Sequence, residues 1–174
     1  MKKKILIAIS LFVLLCALWP SFHLVKTANR NYPEYPLSKQ LKERIVKETS
    51  ELPYDISIMD YCFGLTNELL EFSSKNDIEH GKANCVGYTK MFTAISNYAL
   101  MVNKYEGRVK PVVGYITWCG INLCDVLKLV VPKKYEGFVR DHDFVELEYE
   151  DHYVYVDPTL YDLMWSKCRT TVNK

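Results

Sequence analysis

After Gly107 the hydrophobic period of this chain changes, and that change limits the folds open to it. Upstream, apolar residues recur every three or four positions; downstream, they fall into short extended runs. Ser38 caps a helix through about Leu52, with Leu41, Ile45 and Val46 as its apolar stripe, and Pro53 ends it. Asp55 is the expected cap of a second helix to about Phe72, where Ile58, Cys62, Leu65, Leu69 and Phe72 share a face. Residues 73–82 form a polar loop, and a third helix runs from Cys85 to about Val102. Val86, Met91, Phe92, Ile95 and Leu100 make that helix mostly buried. Past Gly107, residues 110–118 read as a strand, followed by a cysteine-flanked turn and an apolar stretch at 126–131. Residues 143–149 and 153–156 flank Glu150-Asp151 as two strands around a turn, and the C-terminus adds a short strand or a coil. Helices first and strands afterwards predict an α+β domain with an antiparallel sheet.

The N-terminus reads as a targeting segment. Lys2-Lys3-Lys4 precede an uncharged apolar run, Ile5 to Trp19. Extended through Val25, that run reaches about 31 Å as a helix, the thickness of a bilayer core. The expected division is residues 1–25 as a signal anchor or a cleaved signal peptide, 26–37 as a linker and 38–174 as the domain. The linker reading rests on Pro33, Pro36, Asn29 and Asn31. Either form of the segment leaves the domain outside the cytoplasm, tethered through the N-terminus if the segment is retained, with the lysines inside.

The net charge of +1 conceals an asymmetry. Residues 1–30 hold five Lys/Arg and no acid, so the remainder carries 17 basic and 21 acidic side chains, a net of −4. No Lys/Arg-rich stripe occurs there, which argues against nucleic acid as a partner. Five cysteines lie beyond the apolar run: Cys62, Cys85, Cys119, Cys124 and Cys168. Two disulfides would use four of them and leave one thiol, with Cys85 the one expected to stay free. Cys119 with Cys124 and Cys62 with Cys168 is one of three pairings; buried reduced thiols are the alternative. Only one close Cys pair exists and no His sits near it, so no zinc site is expected; strong calcium-loop motifs are absent, and no metal or organic cofactor is implied.

The chemistry lies in a Cys, a His and an Asp, in that order. Cys85 stands where the third helix starts, behind Asn84 as cap. Orphan N–H donors and the helix dipole favour an anion at such a position. His142 and Asp157 are 15 residues apart; a hairpin centred near Glu150 sets them opposite or diagonal across paired strands, within about 7–8 Å at Cα. That suits a thiol nucleophile, an imidazole base and a carboxylate meeting imidazole Nδ1 to orient it. His80, in the polar loop, is a weaker base candidate, and His152 sits beside the turn.

Four segments together resemble the transglutaminase-like domains of the papain-like thiol enzyme superfamily. They are Cys85-Val86-Gly87-Tyr88, Val112-Val113-Gly114-Tyr115, His142-Asp143-Phe144-Val145-Glu146-Leu147 and Val156-Asp157-Pro158-Thr159. The resemblance covers about residues 55–162, with Phe144 where the family commonly has tryptophan. It implies a papain-like, transglutaminase-like core in which the nucleophile helix packs on the antiparallel sheet. It implies Cys85 as nucleophile, His142 as base and Asp157 as orienter, acting by acyl transfer or amide hydrolysis through a thioester. A protein or peptide at the cell envelope is the expected substrate; the alternative is a catalytically silent scaffold on the same fold.

Overall fold

The computed structural model describes residues 22–52, 57–118, 120–130, 141–149, 152–164 and 169–173. The chain opens with strand β1, Phe22–Asn29. Helix α1, Lys39–Ser50, begins at Ser38, whose hydroxyl accepts from the Leu41 N–H, as the sequence predicts. Helix α2, Ile58–Leu69, is capped by Ser57 through the Asp60 N–H. The expected cap, Asp55, lies outside the described residues. Helix α2 ends at Leu69, short of the expected Phe72, which is exposed instead in a two-residue strand, β2 (Glu71–Phe72); β2 pairs in parallel with β3 (Lys82–Ala83) across the polar loop and its 3-10 turn at Ile78–His80. Helix α3 spans Cys85–Val102, and the five residues after it lead through Gly107 into the long strand β4, Arg108–Trp118. Strand β5 (Ile121–Asn122) and helix α4 (Leu123–Val130) follow. Strands β6 (His142–Tyr149) and β7 (His152–Val156) make the expected hairpin. The C-terminal part adds helix α5, Pro158–Met164, as well as strand β8, Arg169–Asn173.

The result is a mixed α/β architecture around one curled antiparallel sheet in the order β1-β4-β6-β7-β8, with β5 pairing to the end of β4. Its outer strands β1 and β8 come back within contact of each other. Alternation along β4 and β6 gives the sheet two apolar faces. Val109 and Val145 join Tyr88, Phe92, Ile95 and Ala99 of α3, with the Phe63 ring of α2 tilted against Phe92 at 4.5 Å between ring centroids. Val112 and Phe144 face the inside of the curl, where Leu24 of β1 completes a second small core with Ile116, Tyr155 and Leu160. The α3 helix is buried over most of its surface, as its apolar residues require.

The N-terminal boundaries need correction. Residues 22–25, assigned to the end of the apolar segment, and 26–29, assigned to a linker, together form β1 and pair with β4. Leu24 is 2% exposed, so this stretch belongs to the domain core rather than to a membrane span or a tether. Residues 30–37 then run as a strap across the domain, with Tyr35 and Leu37 packed on the main core. Among the described residues no helix is long and apolar enough to cross a membrane. The apolar run at 5–19 lies outside them. So do Cys119 and Cys168, and with them the expected Cys119–Cys124 disulfide. Cys62 is a free thiol in the core, not half of a disulfide with Cys168.

Candidate active site

Three elements converge at the N-terminus of α3. Asn84 caps that helix, its side-chain oxygen accepting from the Val86 N–H at 3.0 Å. Asn76 of the preceding loop holds Asn84 in turn, accepting its backbone N–H at 3.0 Å. This loop approaches so closely that a Cβ on Gly87 would stand 2.6 Å from Ala83 Cβ and 2.7 Å from Asn76 Oδ1. The glycine two places after Cys85 is therefore a packing requirement of the loop that caps the helix. Cys85 is the first helical residue, half-buried and free. As the first residue, its N–H has no acceptor within the helix.

The hairpin supplies the other two groups. Its register pairs Val145 with Val156, which sets Asp157 across from Phe144 and diagonal to His142. Asp157 is a bifunctional carboxylate. Its Oδ1 accepts the N–H groups of Thr159 and Leu160, at 2.9 and 3.1 Å, which is the N-cap of α5, and Pro158 takes the first helical position. Its Oδ2 meets His142 Nε2 in a short hydrogen bond. Nε2, rather than the expected Nδ1, faces the carboxylate. The Asp157 side chain is fully buried, whereas His142 keeps 18% of its side chain exposed.

The His142 ring lies within hydrogen-bonding reach of both Asp157 and Cys85. Burial by itself would lower its pKa. The Asp157 charge and hydrogen bond, joined by those of Cys85, outweigh that and hold the imidazole well above its usual 6.5. Its neighbours therefore favour the imidazolium form. Phe144 stacks beside the ring, 6.4 Å between centroids, and fixes its plane from inside the curl.

The structure also places around this site residues that sequence reasoning missed. Asp143, next to His142, points to the opposite face of β6 and is 2% exposed. Its Oδ1 accepts from Arg30 Nε at 2.9 Å and from the Tyr32 hydroxyl at 2.7 Å. This clamp pins the strap beside Cys85. Burial, then the bond to Asp143 and that carboxylate's charge, push the Tyr32 phenol up; Arg30 opposes this and Cys85 adds to it. The available signal was an acid at an alternation position of β6 whose next neighbours, Val145 and Leu147, are apolar.

The other candidates fall away from the triad. His80 is exposed and turns its Nδ1 to Asp77 at 2.7 Å. Cys62 is sealed in the core, and burial raises its thiol to about 12 against a hydrogen bond from Ser96. The side chain of His152 lies outside the described residues. Among the described residues no group of three or more His, Cys, Asp or Glu could hold a metal ion. Comparisons with family models, curated proteins and solved structures found no match.

Proposed function

We propose that this chain is a transglutaminase-like thiol enzyme with a papain-like core, using Cys85, His142 and Asp157 for acyl transfer or amide hydrolysis. The observation that carries the reading is the His142 ring bridging a buried carboxylate and a thiol at a helix N-terminus. The Cys85 sulfur attacks the carbonyl carbon of an amide; the imidazolium gives its proton to the departing nitrogen, leaving a thioester on Cys85. Water or an amine, deprotonated by the now neutral His142, attacks the thioester and returns the sulfur as leaving group. The Cys85 backbone N–H, unspent within the helix, is a donor toward the oxyanion. Asp157 holds the ring in one orientation throughout, because its other oxygen is fixed by α5. Protein or peptide amides are the substrates this reading favours.

We also place the domain outside the cytoplasm, on the support of Lys2-Lys3-Lys4 followed by the apolar run at 5–19.

The test of the chemistry is trapping with a thiol-directed electrophile, read by intact and peptide mass spectrometry. One adduct on Cys85, lost in Cys85→Ala and slowed about 10²-fold or more in His142→Ala, is expected. Equal labelling of the parent and Cys85→Ala would sink the assignment.

A further inference from the structure

A groove of about 330 Å³ runs beside α3, between the strap and the start of β4. Tyr32 and Glu34 of the strap, Lys90 and Thr93 of α3, and Arg108 and Lys110 of β4 are among its lining residues. Three of its charges are positive and one is negative. Lys110 is partnered by Glu148 at 2.5 Å. Lys90 holds its ammonium 4.7 Å from the centre of the Tyr32 ring, and neither Lys90 nor Arg108 has an ion-pair partner among the described residues. The Thr93 hydroxyl, also buried, has no hydrogen-bond partner among them. The groove thus offers two cations without an ion-pair partner among the described residues.

Its position relates it to the nucleophile. Tyr32 is shared: its hydroxyl is fixed by the Asp143 clamp next to His142, and its ring forms the near wall of the groove. Lys90 follows Cys85 by five residues of helix, about 7.5 Å along the axis, and Asn97, at the far lining of the groove, by about 18 Å. An extended peptide advances about 3.3 Å per residue. A chain whose carbonyl sits at Cys85 would therefore bring its residues about two to five positions away over these cations.

We propose that this groove is a substrate subsite for acidic side chains, selecting peptides with Asp or Glu about two to five residues from the reacting amide. The proposal rests on the thiol-enzyme reading for its substrate class, but binding can be measured without turnover. Charge complementarity decides the sign: a carboxylate neutralises Lys90 or Arg108, while a basic side chain would meet two uncompensated cations.

The experiment uses the full chain carrying Cys85→Ala and fluorescein-labelled undecapeptides with a central glutamine. Positions two to five on either side carry Glu in one peptide, Lys in the second and Gln in the third. Fluorescence anisotropy should show the Glu peptide binding about tenfold tighter than the Gln peptide, with the Lys peptide weakest and the preference fading as salt rises. Lys90→Gln with Arg108→Gln should erase most of that preference. Arg108→Gln alone, on an exposed side chain at a strand start, should remove about a third to a half of it on a logarithmic scale and serves if the double variant misfolds. Equal binding of the three peptides, no binding of any, or a Glu preference unchanged in the variants would each overturn the proposal. Electrophile labelling of Cys85 in the parent chain reports separately on the thiol chemistry. Failed labelling with a retained Glu preference would remove the enzyme reading and leave the groove as an acidic-peptide site.

Discussion

At the residue scale the site turns on where one proton resides. His142 is pushed above its ordinary value because Asp157 and Cys85 outweigh the effect of burial. A histidine raised in the folded state contributes stability that is fully present below its unfolded pKa, near 6.5, and lost as pH rises through the folded value. The stability gap between the parent and His142→Gln, from denaturant titrations, should thus be widest near pH 6 and close on the alkaline side. Ring titration by NMR should place His142 well above 6.5, and Asp157→Asn should bring it down. A ring titrating at or below 6.5 in the parent would remove the imidazolium from the proposed mechanism. The three residues were legible because Cys85 follows a capping Asn and because 15 residues is a hairpin spacing. The ring orientation was not legible, since it depends on which side of the imidazole the buried carboxylate occupies. Asp143, Arg30 and Tyr32 were missed because two of them lie in a proline-flanked stretch that reads as a tether.

At the element scale Asp157 couples two structures that sequence reasoning treated separately. It follows directly on β7, which ends at Val156, and it caps α5, which starts at Pro158. Asp157→Asn removes the charge but keeps an oxygen able to cap; Asp157→Ala removes both. Thermal or chemical unfolding should find the Ala variant less stable than the Asn variant by about 1 kcal/mol, the worth of an N-cap, while both slow electrophile labelling of Cys85. Equal stability would mean that the cap is not what fixes the carboxylate. Glycines give a second contrast. Gly64 on α2 is exposed with open space around its Cβ position, so Gly64→Ala should stabilise by about 0.5–1 kcal/mol through helix propensity. Gly87→Ala drives a methyl into Ala83 and Asn76 and should cost about 1–3 kcal/mol. Circular dichroism melts of the two variants, moving in opposite directions, check both. Helical pattern located both glycines, but only the folded loop distinguishes them.

At the scale of the whole molecule, the described domain begins earlier than its composition suggests. Two prolines and two asparagines made 26–37 look like a tether, and an apolar run made 22–25 look like its anchor. Instead β1 supplies one edge of the curl. Its backbone comes so near β4 that a Cβ on Gly114 would sit 1.8 Å from the Val25 carbonyl oxygen. A register shift between Lys26 and Ala28 follows at once, and Thr27 donates to the Val113 carbonyl at 3.0 Å. Inside the curl, Lys26 meets the buried Glu146 at 2.6 Å. Without β1, Glu146 would be an uncompensated buried charge, Leu24 would leave a hole beside Phe144, and the strap clamp on Asp143 would be gone. A chain starting at Ser38, the expected domain boundary, should therefore fail to give a cooperative melt. Lys26→Met in the full chain isolates one part of that loss: it should cost about 3–5 kcal/mol by leaving Glu146 unpaired, and Lys26→Met with Glu146→Leu should recover most of it. Cooperative unfolding of the Ser38 chain at the parent temperature would restore the tether reading. A double variant no more stable than the single would show that the cost comes from packing of the lysine stem rather than from the stranded charge.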